Sequence, residues 1–201
     1  YSLFSKTDYK SLYESNSQAD REKLYRWIEY YKIKFKSRVY TPLNNSEKYT
    51  LVLMGRADFG LLGSYNKYKQ TPFETFYVGG DGMTGSYTYA TETIGLRGYD
   101  NGSLTPYSNG RAYTRFSMEL HFPFLLQPSS TIYGLAFVEG GNAWTALEDF
   151  NPFSLKRSAG VGVRIFLPMI GLMGIDWAYG FDRVQGERGG GHFHFILGQE
   201  F

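Results

Sequence analysis

Seven consecutive residues, Ile94-Gly-Leu-Arg-Gly-Tyr-Asp100, contain the side chain in this sequence best placed for specific chemistry. Arg97 is an isolated arginine between an aliphatic residue and Gly98-Tyr99, in a stretch otherwise rich in Gly, Ser, Thr and Tyr. A guanidinium is planar and always charged, and it grips carboxylates with two prongs, a geometry lysine does not copy. An arginine of this kind in a long loop implies that the loop folds back into a wide, wet β-barrel and meets carboxylates on the inner wall. Gly98 lets the backbone pass close to that wall, and Tyr99 anchors against it.

Other candidate chemistry is weaker. His192 and His194 stand two apart on one strand face, a spacing that can hold a metal, but no third ligand is evident. Gly189-Gly190-Gly191 lacks the Lys-Ser/Thr and the helix that a phosphate loop requires. There is no Gly-x-Ser-x-Gly elbow and no paired-carboxylate motif, so hydrolytic catalysis has no support, and no motif calls for a cofactor. Lys32, Lys34, Lys36 and Arg38 form a basic stripe, expected to be a hydrated wall facing the lumen.

The elements that position these residues follow from alternation, since side chains two apart in a strand share a face. Residues 5–23 are polar and read as a surface loop, with Ser17 to Asp20 as a possible helix start. Residues 24–43 alternate, with Tyr31, Ile33, Phe35 and Val39 opposite the basic stripe. Pro42 and Asn44-Asn45 end that strand in a turn, and residues 49–62 return antiparallel, with Leu51, Leu53, Ala57 and Phe59 opposite Thr50, Arg56 and Asp58. Residues 63–110 show little alternation, and a loop of that length usually has a job. Strands follow at 111–122 (with Glu119), 131–144 (with Glu139), 158–167, 172–181 (with Asp176 inward) and 191–201. Pro123 and Pro128 bracket one turn; Pro168 and Gly171 form another.

Seven strands of membrane-spanning length, joined alternately by short turns and longer loops, define an all-β chain and an antiparallel transmembrane barrel. The aliphatic and aromatic faces then point to lipid. Composition agrees. Among 201 residues there are 18 Tyr, 16 Phe and 24 Gly, and aromatic residues make up 18%, as the interfacial girdles of a membrane barrel require. A mean hydropathy of −0.35 reflects lipid-facing and lumen-facing residues averaging out. A net charge of +2 gives no reason to invoke nucleic acid, and the absence of cysteine excludes a disulfide framework. The chain begins at Tyr1 without a signal segment, and residues 1–4 look like the end of a strand; both suggest part of a longer protein.

With the strands placed, the sequence resembles the C-terminal half of the barrel of the BamA family of outer-membrane protein assembly factors (bacterial surface antigens). The resemblance runs through Phe76-Tyr-Val-Gly-Gly80, Leu96-Arg-Gly-Tyr99, Ser117-Met-Glu-Leu-His-Phe-Pro123, Phe137-Val-Glu-Gly-Gly-Asn-Ala-Trp144, Ser158-Ala-Gly-Val-Gly-Val-Arg164 and the terminal Phe201. It implies that residues 1–201 are one portion of a barrel domain whose extracellular loop 63–110 tucks inside. It also implies that Arg97, within Leu96-Arg97-Gly98-Tyr99, pairs with Glu119 and Glu139. Position 139 carries Glu where the family favours Asp, and Gln199 replaces an apolar residue near the terminus. The implied activity is insertion of outer-membrane proteins in a Gram-negative bacterium. Its partners would be unfolded barrel proteins, periplasmic and lipoprotein accessory subunits, and outer-membrane lipids. A two-partner secretion pore shares the loop motif and is the alternative. The working element would be the last strand, with Gly191, Phe193, Phe195, Leu197, Gly198 and Phe201, because glycines weaken pairing and an exposed edge templates a new strand.

Overall fold

The computed structural model describes residues 8–15, 17–26, 28–44, 46, 49–66, 68–82, 91–127, 130–168, 171–184, 186 and 189–198. Residues 1–4, Asn45, Pro128, Gln199 and Phe201 lie outside that set. Two helices come first, α1 (Tyr9–Glu14) and α2 (Gln18–Tyr25), followed by β1 (Tyr30–Pro42) and β2 (Val52–Ser64). Next come two short strands, β3 (Thr75–Val78) and β4 (Thr91–Ile94), and a 3-10 turn at Pro106–Ser108. The long strands β5 (Ala112–Gln127), β6 (Ser130–Trp144), β7 (Lys156–Leu167) and β8 (Gly171–Gly180) precede β9 (Gly191–Leu197). The seven long elements form one antiparallel sheet in the order β1-β2-β5-β6-β7-β8-β9, so every neighbour is the next long strand in sequence. That is the meander an up-and-down barrel requires.

The faces divide as the alternation dictates. Ile33, Phe35 and Val39 of β1, Val161 and Val163 of β7, and Ile175, Trp177 and Tyr179 of β8 are exposed on the outer face. In water such a surface would be a large aggregation hazard; facing lipid it is the apolar band of a membrane barrel. Arg56, Asp58, Arg115, Glu119, Glu139, Arg164 and Asp176 are buried on the inner face.

Several expectations need correction. Residues 9–14 are helical and not surface loop, and the possible helix start at Ser17 to Asp20 is the N-terminus of a helix that runs on through 25. Asp8 caps α1, accepting from the amides of Lys10 and Ser11, and straight-chain Gln, Arg, Glu, Lys and Leu favour α2. Leu24 and Tyr25 therefore belong to α2, and β1 begins only at Tyr30. Pro123 does not end a strand: β5 continues to Gln127, with a register shift between Pro123 and Leu125. A bulge is where a residue without an N–H is tolerated within a sheet. Gly198 falls just beyond β9, in a left-handed conformation with φ 98°.

The long loop also carries more structure than its composition suggested. β3 and β4 pair in parallel, from Thr75↔Thr91 to Val78↔Ile94. Phe76, Val78, Ile94, Leu96, Tyr99 and Leu104 of the loop pack on Leu62, Tyr113 and Ala143 of the inner wall. The loop therefore builds a packed apolar core against the inner wall at this end. Four-residue strands are too short to reveal a period, and their partners lie in other elements, so the pattern was hidden.

A loop clamped inside the sheet

The clamp begins with how the loop enters. The amide of Gly79 donates to the Ile94 carbonyl (3.0 Å) and that of Gly80 to Leu96 (3.1 Å), which aligns the strand leaving β4 with the inner wall. Gly98 then passes so near β7 and β8 that a Cβ would lie 2.8 Å from the Ser158 Cβ and 3.0 Å from the Gly180 nitrogen. Its φ of 87° adds a second reason for glycine. The amide of Gly98 donates to Nε2 of His194 in β9 (2.9 Å). The Tyr99 hydroxyl donates to the Arg157 carbonyl (2.6 Å). Burial, with Asp182 nearby, pushes its phenol up to about 12.

These contacts deliver Arg97, only 3% exposed, into a cluster of carboxylates. Its Nη2 pairs with Glu119 and lies 2.6 Å from Oε1 of Glu139, and its Nη1 lies 2.9 Å from Oδ2 of Asp176. Its backbone amide donates to the second oxygen of Glu139 (2.9 Å). The guanidinium carbon sits 3.5 Å from the centre of the Phe137 ring, a cation–π contact. Burial works against the charge, but Glu139, Glu119 and Asp176 outweigh it and hold the guanidinium pKa well above its ordinary value.

The acids are themselves held. Glu139 accepts from the Ser117 hydroxyl (3.0 Å) and from Arg115 (3.3 Å), while His121 lies 2.9 Å from the other oxygen of Glu119. Asp176 is gripped on both oxygens by Arg164, which pairs with Oδ1 and lies 2.7 Å from Oδ2. Three arginines thus meet three carboxylates across β5, β6, β7 and β8, with nearly every oxygen engaged. That is the condition under which a buried ionic cluster is tolerated. It offers no free base, nucleophile or metal ligand set. Among the described residues no group of three or more His, Asp or Glu is placed to hold a metal.

Of the residues singled out in the sequence, Leu96, Arg97, Gly98, Tyr99, Glu119 and Glu139 lie together here. Gly191, Phe193, Phe195 and Leu197 stand apart in β9, with the three apolar side chains exposed on the outer face. His194, inward on the same strand, joins the loop, and His192 reaches Asp100 (3.3 Å). Sequence reasoning missed Asp176 and Arg164 as members. A signal existed: Gly162 and Gly174 lie on the same face, and a Cβ there would strike Asp176 Oδ1 at 1.7 Å and Arg164 Cδ at 2.7 Å. The basic stripe is also less simple than a hydrated wall. Lys32 pairs with Glu74 (2.8 Å) and Glu92 (2.9 Å), and Lys34 with Glu92 (3.2 Å), tying β1 to the loop.

Comparison with known proteins gives a consistent picture. The model of the Omp85 superfamily domain matches residues 11–201. The outer membrane protein assembly factor BamA of Neisseria meningitidis serogroup B is 29% identical over 140 residues, covering 69% of this chain and 16% of that protein. The crystal structure of BamA from Haemophilus ducreyi lacking POTRA domains 1–3 superposes with a TM-score of 0.61 at 22% identity, over 83% of this chain and 34% of that one. The chain therefore spans a minor part of the length of either relative.

Proposed function

The chain belongs to the Omp85 superfamily, whose place is the outer membrane of Gram-negative bacteria, and from that premise we propose that it is the C-terminal portion of a barrel that inserts outer-membrane proteins. In this reading its substrates are unfolded barrel proteins, delivered with the help of periplasmic and lipoprotein accessory subunits. The reaction requires no bond making or breaking by the barrel. An incoming strand adds to an exposed edge by main-chain hydrogen bonding, that is, by β-augmentation.

The observation that supports this reading is the state of β9. It is the shortest of the long strands and pairs with β8 from Tyr179↔Gly191 to Met173↔Leu197. Glycines stand at both of its ends, Gly189 and Gly190 before it, Gly191 as its first residue and Gly198 after it. Opening between β9 and the first barrel strand of the full-length protein would present a row of unpaired N–H and C=O groups. The clamped loop keeps the β5–β8 wall in register while β9 moves. Leu96, Arg97, Gly98, Tyr99, Glu119 and Glu139 are in this proposal positioning residues, and Gly191, Phe193, Phe195, Leu197, Gly198 and Phe201 form the seam.

The test is a reversible lock. One cysteine replaces a β9 residue, for example Ile196→Cys, and a second is placed opposite it in the first barrel strand of the full-length protein, where Cα atoms lie about 4.4–6.8 Å apart. Cells that depend on the oxidised protein should stop assembling outer-membrane proteins and recover on reduction. Normal growth with the bond fully formed would mean that lateral opening at β9 is not needed.

A further inference from the structure

Arg111 is a second buried guanidinium, and its surroundings are the reverse of those of Arg97. It lies at the mouth of the sheet, where its carbonyl accepts from Leu62 (2.7 Å) and its amide donates to Trp144 (2.7 Å), so its backbone is fixed between β2 and β6. The residue is 6% exposed. Its side chain makes one hydrogen bond, from Nη2 to the Thr71 carbonyl (2.8 Å), while Nε and Nη1 have no partner. Among the described residues no carboxylate pairs with it, and burial alone pushes its pKa down. A buried, unpaired cation is among the costliest groups a fold can carry, and Arg111 cannot shed its proton at neutral pH.

Arg111 is among the residues lining a cavity of about 390 Å³ between the α1–α2 segment and the long loop. Tyr13, Tyr25, Gln70 and Asn109 share the lining, and no acid is among the residues that line it. Tyr13 and Tyr25 are exposed, which leaves the rim open to solvent. Glu148 borders a separate cavity on the other flank of Arg111. Lys69, also buried, stands nearby in sequence with its Nζ 5.2 Å over the Tyr9 ring, adding positive charge to the same loop segment.

We propose that this cavity is a binding site for a phosphate-type oxyanion, with Arg111 as its charged anchor and Tyr25 and Gln70 as neutral donors. A phosphate group accepts from guanidinium N–H groups and hydroxyls together and neutralises the buried charge, the pairing for which arginine is favoured. The anion is either free phosphate or the phosphate of an outer-leaflet glycolipid reaching over the rim. In both cases binding draws the α1–α2 segment onto the loop at a point remote from β9. The site does not depend on the proposed insertion activity.

The full-length protein in lipid nanodiscs is titrated with inorganic phosphate, and binding is read by calorimetry and by the unfolding temperature. Saturable binding and a rise in unfolding temperature are expected. Arg111→Gln should weaken binding about ten-fold or more, since a charge-assisted contact is lost, and Tyr25→Phe should weaken it by a smaller factor. Nanodiscs containing a phosphorylated glycolipid that compete with free phosphate, while dephosphorylated ones do not, identify the lipid as the source; equal indifference to both identifies free phosphate. No saturable binding to the wild-type protein overturns the proposal whether or not Arg111→Gln folds. Equal binding by a folded Arg111→Gln protein does the same.

Discussion

β6 and β9 are touched by the same loop yet are held very differently. β6 lies in the middle of the ladder, paired on one side with β5 from Ala112↔Trp144 to Gln127↔Ser130 and on the other with β7. It presents Glu139 and Phe137 to Arg97, contacts that are charged, buried and reinforced by Arg115 and Ser117. β9 is paired with β8 over a shorter stretch, and its link to the loop is a hydrogen bond from the Gly98 amide to His194 and a contact between His192 and Asp100. Its outward Phe193, Phe195 and Leu197 are each 60% exposed or more. The loop is therefore an anchor on the wall and only a light tether on the terminal strand. A motion at β9 need not disturb the ion cluster.

The contrast breaks most completely at Arg97. Arg97→Ala should strand Glu119, Glu139 and Asp176 without their shared cation, costing about 3–5 kcal/mol and releasing the loop from the wall. Denaturant titration of the purified protein, with protease sensitivity of the loop as a second readout, checks this. Arg97→Lys should recover only part of the loss, because a point charge does not reach three carboxylates at once. On the outer face, Val163→Arg should cost roughly 2–4 kcal/mol where β7 crosses the bilayer midplane. A neutral result in a folding titration would mean that the faces are reversed.

Smaller effects sharpen the difference between wall and tether. His194→Phe leaves the buried Gly98 amide without an acceptor, at a cost of about 1–3 kcal/mol. It should raise hydrogen exchange at Gly98 and in β9 while the protection of β6 is unchanged. The smallest effect is expected at Asp182, where the Arg157 guanidinium at 2.9 Å holds the carboxyl below its ordinary range. Because that pKa is depressed in the folded protein, the contribution is present above the ordinary carboxylate range and is lost as pH falls through the depressed value. Asp182→Asn should lower the unfolding midpoint slightly at neutral pH and not at all in strong acid; an equal shift at both would exclude the ion pair as its cause.

The parts legible in the sequence were those with a repeating local cause. Alternation in 24–43, 158–167 and 172–181 placed the strands β1, β7 and β8 and their lipid faces, because one buried and one lipid face impose a strict period of two. The Leu96-Arg-Gly-Tyr99 motif was visible because an arginine between an apolar residue and Gly-Tyr has few uses. What stayed hidden depends on packing between distant segments. The β3–β4 pair is too short to carry a period, and it is closed by packing of the loop on the inner wall. Asp176 was seen to point inward, but its link to Arg97 spans 79 positions in sequence. Nothing local to either residue encodes that contact. That Arg111 meets no carboxylate among the described residues was likewise invisible, since it emerges only once the surrounding elements are assembled.

Hydrogen–deuterium exchange on the full-length protein in a lipid bilayer tests the central contrast most directly. The amides of β9, from Phe193 to Leu197, should exchange much faster than those of β6 around Phe137 to Gly140, with the Arg97 amide, bonded to Glu139, tracking the wall. Equal, strong protection of β9 and β6 would contradict a weakly held terminal strand beside a loop-anchored wall.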